Sequence, residues 1–198
     1  YLCVSPYGRE LQFSNFSIMK LNGQPVFCVE SHVMAVDGGG YVPETLVNSK
    51  KDLLAKIAYY GYTNTSRTNV DYATTQIMIW ETLGDRYISS SVPNYQGRKT
   101  DIMAKVNKHD TLPSFNGQSV SVTVGDSITL TDSNGVLKDM TLESNGTNAT
   151  ANHSGNTLKI TPSKNSNDGT ITFRKVPQNE VGTSVVYKKS NSQSLAKF

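Results

Sequence analysis

"DYATTQIMIWETLG", residues 71–84, sets a glutamine inside an apolar helical stripe. Tyr72, Gln76, Ile79, Trp80 and Leu83 recur at helical spacing and share one face. The helix is punctuated: it is predicted to start near Asn69, to carry Asp71 in the first turn, where the macrodipole favours an anion, and to stop at Gly84. Burying an unpartnered side-chain amide costs roughly 1–3 kcal/mol. Gln76 is therefore a packing error, a hydrogen-bonded core group or a reacting group.

Upstream, the pattern is strand-like. Short β pieces are expected at 11–13, at 16–21 and in "PVFCVE" (25–30), with Asn22-Gly23 as a hairpin turn, so that Cys28 falls near a strand end. "DGGG" (37–40) reads as a loop. A first helix is expected from Ser49, with Leu53, Leu54, Ile57 and Ala58 on one face, Ser49 and Asp52 as a capping box, and Gly61 as its stop. A third helix is expected over 100–108, with Ile102 and Val106 inward. After "DTLPSFNG" (110–117) alternating runs take over: "SVSVTV", "SITLTD", "NTLKIT", "GTITFRKV" and "SVVYKK". Gly125-Asp126, Asn134-Gly135 and Asp168-Gly169 separate them, as in a β-sandwich with one wet face per sheet, and a loop is expected over 144–156.

Bulk properties narrow the function classes. A 198-residue chain is long enough to bury a core in one or two domains. Mean hydropathy of −0.39 and the lack of any apolar run near roughly 18 residues argue against membrane insertion. The net charge of +3 is mild and the basic residues are scattered, so no nucleic-acid partner is expected. The chain begins at Tyr1 without a visible leader and reads as a segment of a longer protein. Asn-X-Ser/Thr sequons such as those at Asn15, Asn64, Asn145 and Asn148 follow from heavy use of Asn, Ser and Thr and are given little weight as glycosylation sites.

The two cysteines, Cys3 and Cys28, leave several chemistries open. They could form a disulfide. Cys28 could be a small buried hydrophobe, or a nucleophile paired with His32 in a cysteine-dependent transferase or hydrolase. It could also attack the Gln76 carboxamide, releasing ammonia and leaving an intramolecular thioester. That last reading accounts for a buried glutamine, because the condensed side chain has no amide donors left to satisfy. An acyl thioester persists only where water is excluded, and Phe27, Tyr72 and Trp80 are the candidate shield.

"FCVE" after a hairpin, "GGGY", "YYGY" and "TQIMIWE", in that order, resemble the thioester domains of Gram-positive surface adhesins. The resemblance covers roughly residues 18–108, and the β-rich stretch after "PSFNG" resembles the continuation of such domains. It implies an α+β fold: a short-stranded thioester module with inserted helices over 1–110 and a β-sandwich region over 111–198. It further implies that Cys28 supplies sulfur and Gln76 the acyl carbon, without cofactor or metal. A lysine amine on a host or environmental protein would then open the bond and leave an isopeptide. The protein would act once per molecule, so it is expected not to be an enzyme, and to be a monomeric part of a multidomain protein secreted to the cell wall.

Other residues stay open at this stage. Cys3 could replace Cys28, His32 could act as a base, Thr75 could orient the acyl carbonyl, and Glu30 and Asp37 could assist or be solvated. Tyr41, Tyr59, Tyr60 and Tyr62 could form a target surface or pack the core. Lys175, Lys188 and Lys189 could cross-link to an asparagine or simply guard strand edges. The rival from another class is a non-covalent binding or stalk domain with no thioester.

Overall fold

The computed structural model describes residues 1–175 and 184–198. The chain forms two compact units, Tyr1–Asn107 with Asn179–Phe198, and Lys108–Gln178. The first contains β1 (Leu2–Val4), β2 (Glu10–Gln12), β3 (Lys20–Leu21), β4 (Gln24–Pro25), β5 (Phe27–Cys28) and β6 (Val42–Thr45). Helix α1 (Lys51–Ala58), a π-helical turn (Tyr59–Thr63), α2 (Asn69–Leu83), β7 (Arg86–Ser89) and α3 (Tyr95–Lys108) follow. In the second unit lie β8 (Ile128–Thr131), β9 (Met140–Asn145), β10 (Thr150–Ser154), β11 (Thr157–Thr161) and β12 (Ile171–Lys175). Strands β13 (Val185–Lys188) and β14 (Leu195–Lys197) belong to the first unit again. The fold is α+β, as the pattern of the sequence implied.

Helix α2 is the axis of the first unit. It begins with a reciprocal capping box: the Asp71 N–H donates to the Thr68 hydroxyl oxygen at 3.1 Å, and the Thr68 N–H to the Asp71 carboxylate at 3.0 Å. Arg98, 3.3 Å away, completes that end. The helix closes at Gly84, whose φ of 121° is open to glycine and strained for other residues. Every residue from Tyr72 to Trp80 is buried, so the helix is wrapped on all sides rather than striped on one. Its threonines are accommodated by bonding backwards, Thr74 to the Val70 carbonyl at 2.7 Å and Thr75 to that of Asp71 at 2.8 Å.

The expected capping box of Ser49 and Asp52 does not form. Asn48 instead accepts from the Lys50 N–H at 2.8 Å, and the helix starts at Lys51. Nor is Gly61 a stop, since the chain continues through the π turn to Thr63. Its reason is close packing: a Cβ at Gly61 would lie 2.3 Å from the Thr75 hydroxyl oxygen of α2. Gly61→Ala is therefore expected to cost roughly 3 kcal/mol, read as a lowered denaturant midpoint; an unchanged midpoint would mean that the two helices part freely. Helix α3 begins at Tyr95, before the expected 100, and does turn Ile102 and Val106 inward.

Around α2 the sheets are short and antiparallel. Strand β1 lies between β2 and β7. Strands β3 and β4 form the expected hairpin, with Asn22 and Gly23 both at positive φ, 51° and 77°, as a type I′ turn requires. The four-stranded sheet runs β5-β14-β13-β6. Here the expected boundary fails: β13 and β14, assigned from sequence to the second region, supply the two central strands of a sheet whose edges are β5 and β6. Hydrogen bonding to β5, a two-residue strand too short to stand alone, draws the end of the chain back to the first unit.

The second unit holds a three-stranded sheet, β10-β11-β8, and a two-stranded one, β12-β9, which share a small core of Leu137, Met140 and Leu158 with Phe115, Ala151, Ile160 and Phe173. Its loop 132–137 is organised by the buried Asp132 carboxylate, which accepts from the backbone N–H groups of Ser114, Asn134, Val136 and Leu137 at 2.7–3.0 Å. Burial pushes that carboxyl up, but the four donors outweigh it and hold it below the ordinary carboxylate range. "SVSVTV" (119–124) forms no strand, contributing only an isolated bridge at Val124, whereas β9 and β10 arise where no strand was expected. The final residue of "GTITFRKV" lies outside the described residues.

Candidate functional site

The burial of Gln76 is explained by Cys28. Its Oε1 accepts from the Cys28 N–H at 2.8 Å and its Nε2 donates to the Cys28 carbonyl at 2.8 Å, so the carboxamide grips residue 28 as a paired strand would. The thiol branches from the same residue. Gln76 is 2 % exposed and Cys28 5 % exposed, so both side chains are shielded from water. The Cys28 sulfur lies 3.1 Å from the Met19 sulfur.

Several groups hold this pair in register. On α2, one turn before Gln76, the Tyr72 phenol donates to the Val26 carbonyl at 2.7 Å, while its ring stacks on Phe27 at 5.0 Å. Tyr62 meets both rings edge-on. From the other side, β14 pairs Leu195 with Cys28 and Ala196 with Phe27. Just beyond β5, the Val29 N–H donates to the Ser194 carbonyl at 3.1 Å and the Ser194 N–H to the Glu30 carboxylate at 2.8 Å. The Gln193 amide also donates to the Glu30 carbonyl. A further clamp is the buried Asp85, which follows α2 and accepts from Ser31 at 2.7 Å and from the Cys3 thiol at 3.2 Å.

Electrostatically the site is bare. Burial alone pushes the Cys28 thiol up to about 12. The thiol is thus protonated at neutral pH. Among the described residues, no group of three or more His, Cys, Asp or Glu side chains is placed to hold a metal ion.

Of the residues singled out in the sequence, Cys28, Gln76, Phe27 and Tyr72 come together. Trp80 lies one turn further along α2, buried among Tyr1, Phe13 and Phe16 with ring centroids at 5.8, 4.6 and 5.8 Å. Thr75 spends its hydroxyl on the Asp71 carbonyl. His32 is exposed and its ring packs on Tyr7 at 4.6 Å, so it is not the partner that a cysteine hydrolase would need. Cys3 is buried in β1 against Asp85; burial first, then that carboxylate, pushes its thiol up to about 12. Both cysteines are free, so no disulfide links them.

Glu30 braces the chain end, and the Asp37 carbonyl accepts from Lys189 at 3.1 Å. Tyr59 and Tyr62 pack the core; the Tyr41 hydroxyl lies 2.7 Å from that of Ser192, and Lys189 sits over its ring. Lys175 donates to the Lys108 carbonyl at 2.7 Å, and Lys188 pairs with Glu44 at 2.7 Å. Sequence reasoning passed over Met19, Ser31, Asp85 and the strand β14. The short run "SLAKF" carries no alternation that would have found the last of these.

Comparison with known proteins agrees with this geometry. Residues 25–111, the stretch that includes both Cys28 and Gln76, match the family model "Thioester domain". The fold is similar to the thioester domain of the Staphylococcus aureus TIE protein, with a TM-score of 0.76 and 26 % identity over 98 % of this chain and 84 % of that one. No curated protein sequence matches the chain. A carboxamide locked to a buried cysteine thus lies within the stretch that matches the thioester-domain model, on a fold similar to that of a thioester domain.

Proposed function

We propose that Cys28 and Gln76 condense to an internal thioester that captures an amine on a target surface. The observation that carries this reading is the reciprocal pair of 2.8 Å hydrogen bonds between the Gln76 carboxamide and the Cys28 backbone. In the first step sulfur bonds to the Gln76 carbonyl carbon, the C–N bond breaks, and nitrogen leaves as ammonia with the thiol proton and the two amide protons. Departure of Nε2 leaves Oε1 facing the Cys28 N–H, a fixed donor for the charge that develops on oxygen in the tetrahedral state. Holding the two groups in place supplies the effective concentration that an uncatalysed reaction of a thiol with an amide lacks.

In the second step a lysine amine attacks the same carbon, the C–S bond breaks, and the thiol is restored beside a new isopeptide. The acyl group is consumed, so each molecule acts once and is a covalent binder rather than an enzyme. A covalent product is not bound by the ceiling on non-covalent affinity. That suits an adhesin displayed on the wall of a Gram-positive bacterium and joined to a host or environmental protein, a role supported by the thioester-domain match. Neither step calls for a cofactor.

The test is the pH dependence of amine capture. Burial alone perturbs the Cys28 thiol, and His32 is turned toward Tyr7, so the incoming amine must lose its proton to solvent. Only the neutral amine attacks. With a lysine-like amine of pKa about 10.4, capture by the preformed thioester is expected to rise about tenfold per pH unit from roughly pH 6 to 9. Incorporation measured by mass spectrometry checks this. A rate that levels off near pH 7 would reveal an assisting base and overturn the unassisted step.

A further inference from the structure

We propose that Met19 is the gate of the acyl site, the side chain that must swing aside for an amine to enter, that selects slender, unbranched primary amines over branched ones, and that when closed keeps water from the carbonyl. The inference rests on the thioester reading and adds a specificity-determining residue to it. Access is the problem that the geometry poses: the reacting groups are 5 % and 2 % exposed, and an attacking nitrogen must reach the carbon between them. On one side the carboxamide is pressed on the Cys28 backbone. Phe27 and Tyr72 stack against each other, and neighbouring α2 residues Thr75 and Ile77 are wholly buried.

The half-buried Met19 covers the thiol itself, with its sulfur 3.1 Å from the Cys28 sulfur. Its main chain is fixed, because the Val26 N–H donates to the Met19 carbonyl at 3.0 Å. Its side chain is the movable part, an unbranched thioether with three rotatable bonds that reshapes without disturbing its neighbours. The segment 13–19 that leads to it has no helix or strand, and Lys20 is the first residue of β3. A nucleophile that displaces only this side chain leaves β5, α2 and β14 intact. Slender amines pass most easily, and the closed state keeps water from the carbonyl.

The experiment compares the whole chain with Met19→Ala and with Met19→Leu, which keeps the bulk. Each is first weighed, and a mass about 17 Da below that of the sequence marks a formed thioester. The rates of three reactions are then followed: hydrolysis, capture of methylamine and capture of isopropylamine. The expected result is hydrolysis about tenfold faster in Met19→Ala, a preference for methylamine over isopropylamine that shrinks at least about fivefold, and wild-type behaviour in Met19→Leu. If the bond is present in Met19→Ala and all three rates match the wild type, amines enter elsewhere and the gate is disproved. If alanine prevents bond formation, Met19→Val gives the same comparison; failure of both variants to form the bond would assign Met19 to formation and overturn its role in entry. A wild-type chain with no mass loss would instead defeat the thioester reading itself.

Discussion

A chain cut after Asp110 is expected to form no thioester, although it retains Cys28, Gln76 and nearly all of the stretch that matches the family model. Strand β5 has two residues, and its sheet partner is β14 at the far end of the sequence. Cutting removes Leu195, which is 2 % exposed, and with it a burial worth about 1.5–3 kcal/mol. It also removes the pairing of Ser194 and Gln193 with Val29 and Glu30, which fixes the chain just beyond the reacting cysteine. Against a typical total of about 5–15 kcal/mol, losing a central pair of strands leaves Cys28 without a fixed position. Circular dichroism should show a loosened fold and mass spectrometry the full sequence mass. Formation of the bond in the fragment would show that α2 alone positions β5.

Replacing either reacting residue is expected to abolish amine capture completely, but with different effects on the fold. Cys28→Ala keeps the backbone groups that Gln76 grips and should cost about 1 kcal/mol. Gln76→Ala leaves the buried Cys28 N–H and carbonyl without partners, at about 1–3 kcal/mol each, and should lower the denaturant midpoint markedly. Gln76→Glu lacks the Nε2 donor to Cys28 and has only hydroxide to expel, so it should neither condense nor react. Cys3→Ala should lose its bond to Asp85 yet keep full capture, since that thiol lies in β1 with Asp85 rather than beside Gln76. Capture that survives Cys28→Ala but not Cys3→Ala would reassign the sulfur.

The contrast between α2 and β14 shows what the sequence could reveal. Helix α2 was legible because its information is local: an aspartate in the first turn, a closing glycine and a run of apolar residues with one misplaced amide. That amide pointed to Cys28 through the chemistry of condensation, whereas the paired hydrogen bonds to the Cys28 backbone emerged only in the fold. The Asn22-Gly23 turn was local in the same way.

Strand β14 was not legible because its partner lies 167 positions away, in the pairing of Leu195 with Cys28, and three residues carry too little pattern to announce a strand. Gly61 was misread for a related reason. Close approach to Thr75 leaves the same mark on a sequence as a helix stop. "SVSVTV" had strand periodicity but pairs with no named strand, because alternation reports side-chain preference and not the presence of a neighbour. His32 and Thr75 looked useful through proximity in sequence, and their contacts with Tyr7 and Asp71 show where those side chains are committed.

The most direct measurement is the intact mass of the purified chain before and after exposure to methylamine. Condensation of Cys28 with Gln76 predicts a mass about 17 Da below that of the sequence, followed by a gain of about 31 Da that peptide mapping locates at Gln76. The full sequence mass in freshly prepared protein, unaltered by the amine, would contradict it.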